Sequence, residues 1–398
     1  MKKAVILVVT ILAFCHVYAQ DVGVMHPYPE NPEVETPVPA GYKPFYMSHF
    51  SRHGSRYHSS EKLVLPALEA LRKGNEQSIL TPEGKFLLEK AEQLYSLSDG
   101  MWGQLSSIGV EEHKHIAARM VKRCPSVFKD SVRVMASIYP RCIMSMASST
   151  GEIARLSPKT KWSYVTGKRY QSIINTNHRP PDWVSGASSQ KAYLKEKLND
   201  SLLISRIFTD PVRGEEIVGK PYAFFKSVYN IWADRDAIRL EPFDLESIFG
   251  KDAVMILTRA DNLAHYRNMA IPNADSLIVD IISRADAALA APKPSADLRY
   301  GHDNGLMRLF VQIGMEGYPV GLANDEAALF SFADKMPMAT NLQMVFYKNR
   351  KGQVLVKFLV NERERAIDNL PGGPYYDWDI LKNYLSSCLS EEYIENNQ

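Results

Sequence analysis

The stretch of residues 45–58 constrains the fold of this chain more than any other. It begins as a short apolar run, typical of a buried strand, and then breaks at Arg-His-Gly-Ser-Arg, residues 52–56. A neutral imidazole such as that of His53 can act as a covalent nucleophile, and guanidinium groups beside it supply forked donors that match phosphate oxygens. Gly54 lets the backbone turn sharply next to the histidine. The pattern therefore predicts a strand that ends in a phosphate-binding loop.

A second stretch, far along the chain, has the same organisation. Residues 296–303 indicate a strand that ends at a glycine and places His302 and Asp303 at the start of a helix. Transfer of a phosphoryl group requires a nucleophile in line with the leaving oxygen, positive donors around the equatorial oxygens and an acid for the leaving alkoxide. His53 can supply the nucleophile and Asp303 the acid. We therefore expect the two stretches to meet in one site.

The positive donors come from these two stretches and from a third. Residues 132–136 predict a short buried strand, and Arg141 lies at the start of the helix that follows, where backbone N–H groups favour an anion. On local sequence alone, a solvated surface arginine explains Arg141 equally well. We predict no metal and no other cofactor, because arginines can take the role that metal ions play in other phosphoryl-transfer sites. The predicted phosphate-binding residues are Arg52, Arg56, Arg141 and His302.

Together these motifs resemble the histidine phosphatase superfamily, in the acid phosphatase and phytase branch that includes the multiple inositol polyphosphate phosphatases. The residues that carry the resemblance are 52–56 and the sequence Gly-His-Asp-Asn at 301–304. The resemblance extends to Gly-Gln-Leu-Ser-Ser-Ile-Gly at 103–109, to Ser137 and Arg141, and to a closing hairpin. It covers most of the chain and is weak over residues 161–290.

The resemblance implies an α/β fold, a mostly parallel sheet with helices on both faces plus an inserted helical cap domain. Two departures from the family pattern stand out. His58 occupies a position where the family usually has proline, so we expect the rim of the pocket to differ. The second motif is His-Asp-Asn, closer to phytases than to the His-Ala-Glu typical of the inositol polyphosphate phosphatases. The roles implied by the resemblance are His53 as the phosphorylated nucleophile, Asp303 as the proton donor, and Arg52, Arg56, Arg141 and His302 as the phosphate pocket.

The N-terminus is predicted to be a signal peptide. Lys2 and Lys3 form a basic start, residues 4–14 an apolar run, and Val-Tyr-Ala at 17–19 a cleavage site. The apolar run is shorter than the about 20 residues that a membrane-spanning helix needs. We therefore expect a periplasmic or secreted protein without a membrane span. The predicted division of the chain is residues 1–19 as signal peptide, 20–44 as a proline-rich extended lead-in, 45–160 and 291–398 as the α/β phosphatase core, and 161–290 as a mainly helical cap insertion.

Local patterns predict several elements of this core. Residues 107–123 have helical spacing, with the acids 111–112 in the first turns, where negative charge stabilises a helix. Residues 273–291 predict a second amphipathic helix. Two alternating runs, 342–347 and 354–360, flank Asn-Arg-Lys-Gly and predict a hairpin.

Charge and cysteine content exclude several classes of protein. Removal of residues 1–19 lowers Lys+Arg from 47 to 45, against 45 Asp+Glu, so no global basic field favours a nucleic acid. The three remaining cysteines permit at most one internal disulfide and do not form a zinc site. Two histidine pairs, His49 with His53 and His113 with His115, suit packing or the surface better than a metal. We expect a monomer that acts on a small-molecule phosphomonoester.

Three functions stay open on the sequence alone. The leading one is a secreted phosphomonoester hydrolase that works through His53 on inositol polyphosphates or other organic phosphates, with an acidic to mildly acidic optimum set by the leaving-group acid. The second is a catalytically silent inositol-phosphate or sugar-phosphate binding protein, which would not need the acid Asp303. The third is a phosphomutase, and the predicted export argues against it. For phytate, Lys62, Lys168 or Arg169 could widen the cationic pocket, although a solvated surface is the simpler expectation for each.

Overall fold

The structure, a computed structural model, describes residues 22–30, 34–175, 179 and 183–396. The signal peptide predicted at residues 1–19 lies outside these described residues. Within them, none of the helices combines the length and the apolar character needed to cross a bilayer.

One mixed sheet forms the centre of the fold. In the described part of the chain its strands are β1 (Lys43–Arg52), β2 (Ser131–Ala136), β3 (Lys161–Thr166), β4 (Ser295–Gly301), β5 (Asn341–Lys348), β6 (Val354–Val360), β7 (Arg363–Glu364) and β8 (Tyr376–Asp377). The strand order is β3-β2-β4-β1-β5-β6-β7, and β8 pairs with β6. β3, β2, β4 and β1 are parallel, whereas β5 to β8 join by antiparallel pairs. The parallel strands therefore bring their carboxyl ends to one edge, where ligands bind in open α/β sheets.

Helices connect and cover these strands. The helix predicted at residues 107–123 is confirmed, the one predicted at 273–291 runs from Asp275 to Ala290, and β5 and β6 form the predicted hairpin. The helices of the described residues are α1 (Leu65–Glu76), α2 (Pro82–Ser98), α3 (Ser107–Arg123), α4 (Pro140–Leu156), α5 (Gln171–Ile174), α6 (Gly186–Lys197), α7 (Asp200–Ile207), α8 (Pro211–Val218), α9 (Pro221–Ala233), α10 (Leu245–Phe249), α11 (Lys251–Met269), α12 (Asp275–Ala290), α13 (Asp303–Gln312), α14 (Asn324–Ala328), α15 (Phe332–Lys335), α16 (Trp378–Ser387) and α17 (Glu391–Asn396).

Alternate residues of β1 face two hydrophobic cores, one on each side of the sheet. Tyr46 and Phe50 lie in the core that contains Ile278 of α12. Met47 points the other way and lies in the core that contains Ile116 of α3. Successive side chains of a strand point to opposite faces, so both faces of β1 are covered and most of the strand is buried. The predicted α/β fold with helices on both faces is confirmed.

A helical layer lies beside the sheet, and its limits differ from those expected. α1 and α2 pack against α7, α8 and α9, while α6 packs against α11. Residues 161–166, which the sequence analysis assigns to the helical insertion, instead form β3, hydrogen-bonded in parallel to β2. Trp162, Tyr164 and Val165 are of residue types that suit a strand, but it is the parallel pairing with β2 that makes this segment one. The wider division into core and cap stays a prediction.

The first described residues of the proline-rich lead-in, 22–25, are part of the core. Gly23–Met25 forms one turn of 3₁₀ helix, and Val22, Val24 and Met25 are buried in the same core as Phe50. The predicted extended conformation is therefore wrong for residues 23–25. Burial of apolar side chains supplies the free energy that orders a segment whose composition suggests a loose chain.

Candidate active site

The carboxyl ends of β1, β2 and β4 meet at one edge of the sheet and carry the three stretches predicted from the sequence. Arg52, the last residue of β1, lies opposite Gly301, the last residue of β4. The N–H of His53 donates to the carbonyl of Gly301 at 3.0 Å, and the N–H of Ser137 donates to the carbonyl of Tyr300 at 2.9 Å. These bonds prolong the strand pairing by one residue, and so hold the three loops side by side.

His53 is buried, with 2% of its surface exposed, and its ring is held in one orientation. Nδ1 lies 3.0 Å from the carbonyl oxygen of Gly54. Because a carbonyl only accepts, Nδ1 carries the proton and donates, which leaves the lone pair on Nε2. Burial, and after it the positive charges of Arg52 and Arg56, hold the pKa of His53 well below its usual value. The imidazole therefore stays neutral, with a nucleophilic Nε2, in acidic solution.

Arg52 is fully buried beside the ring of His53, and several partners fix the position of its guanidinium group. Its Nη1 donates to the carbonyls of Val24 at 2.9 Å and Met336 at 2.8 Å. Its Nη2 lies 3.1 Å from Oδ2 of Asp303. Burial of a charge is costly unless the charge is paired, and here two carbonyls and a carboxylate offset that cost. Arg52 is thus a fixed donor.

Three guanidinium groups leave donors unpaired in this region. Within the described residues, the Nε atoms of Arg52, Arg56 and Arg141 are buried and have no hydrogen-bond partner. Buried donors are rarely left in this state in proteins. Burial, and then the like charge of Arg141, lower the pKa of Arg56 to about 10. Such a group of cations is typical of a site that binds an anion.

His302, the N-cap residue of α13, joins the first and third stretches. Its ring centroid lies 5.5 Å from that of His53. Nδ1 lies 3.4 Å from Nη2 of Arg141, and Nε2 lies 3.3 Å from Oγ of Ser137. Arginine can only donate, so Nδ1 accepts and Nε2 carries the proton. Burial, and then the charge of Arg141, lower the pKa of His302 to about 4, and the neutral ring offers one N–H donor.

Asp303, the first residue of α13, completes the cluster. Its side chain is 22% exposed, and its Oδ1 accepts from the N–H of Asn304 at 2.9 Å. Burial acts to raise the pKa of Asp303, but the charge of Arg52 opposes it most strongly among the neighbouring charges, and the pKa falls to about 2. The pKa of Asp303 therefore depends on the negative charges that lie near Arg52 and offset its positive charge.

The loop of residues 53–56 lies directly on α3. A Cβ atom on Gly54 would stand 2.7 Å from the Cα of Gly109, so this close approach requires glycine. Oε2 of Glu112 accepts from the N–H of Ser55 at 2.7 Å, and Oε1 accepts from its Oγ at 2.7 Å. Burial raises the pKa of Glu112, and the hydrogen bonds from Ser55 oppose that effect. The buried carboxylate of Glu112 thus holds the backbone of this loop through hydrogen bonds.

His58, at the position where the family usually has proline, ties the loop to the helical layer. Its backbone N–H donates to Oδ2 of Asp234 at 3.1 Å, and its Nε2 donates to the carbonyl of Asn230 at 2.8 Å. Both partners lie at the end of α9. Proline has neither donor, so this departure gives the rim of the site a link that proline cannot make.

The other histidines predicted to pack or to lie on the surface do so. His49 and His113 are buried against the ring of Tyr300, with centroid distances of 5.4 and 5.7 Å. His115 is exposed and forms an ion pair with Glu30. In the described ranges, no group of three or more histidine, cysteine, aspartate or glutamate side chains has the geometry to hold a metal ion.

The remaining candidates are three cysteines and three basic residues. Cys124, Cys142 and Cys388 are all free thiols. The basic residues Lys62, Lys168 and Arg169 are exposed, as the sequence analysis expects. The last two belong to a 3₁₀ turn that follows β3, and the next residue along the chain, Gln171, accepts from Oγ of Ser137 at 3.1 Å. This turn therefore lies at the same edge of the sheet as the cluster.

The structure brings all six predicted site residues to this edge, and their chemical roles stay predictions. Glu112 is the residue that sequence reasoning missed, because it assigned the acids 111–112 to the helix dipole. Glu112 lies one and two turns before the buried residues Ile116 and Met120 of α3. An acid on the apolar face of an amphipathic helix was the available signal.

The fold is shared with solved structures of a multiple inositol polyphosphate phosphatase and of phytases, the kinds of protein that the motifs resemble. This finding rests on solved structures alone, because no protein-family model and no curated protein matches the chain. The multiple inositol polyphosphate phosphatase of Bifidobacterium longum, in complex with inositol hexasulfate, is similar with a TM-score of 0.72 and 15% identity, over 94% of this chain and 98% of that one.

Two phytases are similar as well. The phytase from D. castellii has a TM-score of 0.67 and 13% identity, over 93% of this chain and 85% of that one. The phytase from Citrobacter braakii has a TM-score of 0.50 and 12% identity, over 88% of this chain and 99% of that one. At these identities the likeness establishes a shared fold.

Proposed function

We propose that the chain is a phosphomonoester hydrolase that forms a covalent phosphohistidine at His53. The arrangement around this residue carries the proposal. A neutral imidazole with its lone pair on Nε2 lies beside three guanidinium groups whose buried Nε atoms have no partner among the described residues. A phosphoryl group offers its equatorial oxygens to such donors and its phosphorus to the imidazole. Asp303, paired with one of the three guanidinium groups, provides the acid.

In the first step of this reaction, Nε2 of His53 attacks phosphorus and the bond from phosphorus to the ester oxygen breaks. The three arginines bind the equatorial oxygens and neutralise their charge, and His302 accepts from Arg141 through Nδ1 while its Nε2–H faces Oγ of Ser137. Asp303 gives its proton to the leaving oxygen, which departs as an alcohol. The Nδ1–H of His53 remains bonded to the carbonyl of Gly54, which stabilises the positive charge that forms on the ring.

In the second step, water attacks phosphorus, the carboxylate of Asp303 accepts the proton and the bond from phosphorus to nitrogen breaks. Inorganic phosphate leaves, and His53 is neutral again. Asp303 can serve as acid and then as base because its pKa follows the charge on the phosphoryl group. A bound dianion opposes the field of Arg52, which otherwise holds the pKa of Asp303 at about 2.

We propose inositol polyphosphates as the substrate class. The similar solved structures named above, a multiple inositol polyphosphate phosphatase and phytases, support this choice. Lys168 and Arg169 also support it, because they are exposed at the edge of the sheet that carries the cluster and are available to further phosphates of a polyanion. Export through the signal peptide predicted at residues 1–19 is part of the proposal.

Release of inorganic phosphate tests this function against its alternatives. The chain without residues 1–19 is incubated with inositol hexakisphosphate and, separately, with sugar phosphates. We expect faster release from inositol hexakisphosphate, and an acid-labile phosphoryl group on His53 after rapid quenching in base. Binding without release would favour a silent binding protein, and isomerised sugar phosphate without release a phosphomutase. Either of these two outcomes contradicts the proposal of a hydrolase. Faster release from sugar phosphates than from inositol hexakisphosphate contradicts the proposal of inositol polyphosphates as the substrate class.

Phosphate release is expected to be fastest in mildly acidic solution. The lowered pKa of His53 keeps the nucleophile neutral there, and His302 keeps its acceptor nitrogen unprotonated down to a pKa of about 4. Asp303 must be protonated in the substrate complex, so kcat should fall as the pH rises through the pKa that this group has in the complex. Measurement of kcat on an alkyl phosphate from about pH 4 to about pH 9 checks this, and a flat profile would contradict it.

A further inference from the structure

A single peptide unit connects the buried carboxylate of Glu112 to the ring of His53. The N–H of Ser55 donates to Oε2 of Glu112 at 2.7 Å. The carbonyl of Gly54, which belongs to the same peptide unit, accepts from Nδ1 of His53 at 3.0 Å. A peptide unit is planar, so its N–H and its C=O cannot turn independently. Whatever holds the N–H of Ser55 therefore also holds the carbonyl that orients His53.

Glu112 is itself held in one position. It is 5% exposed, and its Oε1 accepts from Oγ of Ser55 at 2.7 Å and from the N–H of Tyr28 at 2.8 Å. On the side of the loop, a Cβ atom added to Gly54 would stand 2.9 Å from Oε2, so the carboxylate lies close to the backbone of the loop. Three donors and this close contact leave the carboxylate little freedom to move.

We propose that Glu112 is a positioning residue for the nucleophile, an inference that rests on the function proposed above. It fixes the peptide between Gly54 and Ser55, and that peptide keeps His53 in the tautomer with the proton on Nδ1 and the lone pair on Nε2. In the other tautomer the proton would occupy the attacking nitrogen, and the ring could not react with phosphorus. Glu112 takes no proton from substrate in this scheme, since both its oxygens already accept from Ser55 or Tyr28.

The test compares Glu112→Ala and Glu112→Gln with Glu111→Gln as the matched control. Glu111 is the neighbouring acid on α3, is exposed, and pairs with Lys114 on the surface. Alanine removes every acceptor, whereas glutamine keeps one oxygen, which can serve only one of the two backbone N–H groups. We expect kcat to fall by about 10- to 100-fold in Glu112→Ala, by analogy with groups that orient metal-binding side chains through hydrogen bonds, and by less in Glu112→Gln.

Inhibition by inorganic phosphate distinguishes two effects of a substitution at Glu112. Loss of the positioning of His53 lowers kcat, whereas damage to the phosphate pocket weakens phosphate binding. Arg52 keeps its bonds to the carbonyls of Val24 and Met336 in the variants, and loss of the Glu112 charge that acts on Arg52 favours an anion, so phosphate should bind no more weakly while kcat falls. Glu111→Gln should match the wild type in both quantities. A folded Glu112→Ala variant with the kcat of the wild type overturns the proposal, and so does a loss that appears only as weaker phosphate binding.

Nitrogen NMR of isotope-labelled histidine reads the tautomer of His53 without any reference to activity. The wild type is expected to carry the proton on Nδ1, and Glu112→Ala to show a mixture of the two tautomers. A wild-type spectrum with the proton on Nε2 overturns the proposal, even where both variants fail to fold. Absence of phosphate release by the wild type would instead overturn the proposed function, so the two failures are distinguishable.

Discussion

Replacement of His53 by alanine is expected to lower the rate of phosphate release by about 10⁵-fold or more, because loss of a covalent nucleophile removes the step on which turnover depends. Binding of inorganic phosphate should persist. Arg52, the most deeply buried donor of the pocket, is held by backbone carbonyls and by Asp303 rather than by the histidine. Initial rates of phosphate release, together with inhibition by inorganic phosphate, measure the two quantities separately.

The control for this experiment is His115→Ala. His115 is exposed and forms a surface ion pair with Glu30, so its loss should leave turnover unchanged. Among the described residues, the ring of His53 has one hydrogen bond, to the carbonyl of Gly54, so His53→Ala should remain folded, which an unfolding curve can verify. Turnover near that of the wild type in a folded His53→Ala protein would refute the phosphohistidine mechanism.

Asp303→Asn is expected to lower kcat on an alkyl phosphate by about 10²- to 10⁴-fold, because asparagine cannot protonate the leaving oxygen. An aryl phosphate should be affected far less, since its leaving group departs without a proton. The same change removes a negative charge 3.1 Å from Nη2 of Arg52, so a dianionic substrate should bind more tightly and KM should fall. A lower kcat together with a lower KM is therefore the expected signature.

Asparagine is tolerated at the start of a helix, so this variant should fold. Asp325→Asn is a matched control, because Asp325 lies in the first turn of α14 and is exposed. Its kinetic constants should equal those of the wild type. In Asp303→Asn the decrease of kcat toward alkaline pH should also disappear. An equal loss of kcat on alkyl and aryl phosphates would show that Asp303 is not the leaving-group acid.

Elements whose signals are local could be predicted from the sequence. The strand and loop that carry His53, and the strand and helix start that carry His302 and Asp303, follow from apolar periodicity and turn residues. α3 begins at Ser107 as predicted, because the hydroxyl of Ser106 caps it by accepting from the N–H of Gly109. Each of these patterns lies within a few residues of the structure that it specifies.

Segments whose structure depends on distant partners were predicted less well. Residues 161–166 form a strand because β2 offers a parallel edge, and residues 22–25 are ordered because the core around Phe50 buries their apolar side chains. On local sequence Arg141 fitted a solvated surface as well as a pocket, and the contact between its Nη2 and Nδ1 of His302 now places it in the cluster. No local pattern contains these pairings.

The sequence by itself determined which residue types stand at the ends of β1 and β4, and hence the class of chemistry that this edge of the sheet can support. Only the tertiary structure decided the protonation and the contacts of those residues. The proton on Nδ1 of His53, the pKa of about 2 at Asp303 and the support of the loop by Glu112 all depend on groups far apart in the chain. Electrostatic and hydrogen-bond energies depend on distance in space and on exclusion of water, and both quantities arise only when the chain has folded.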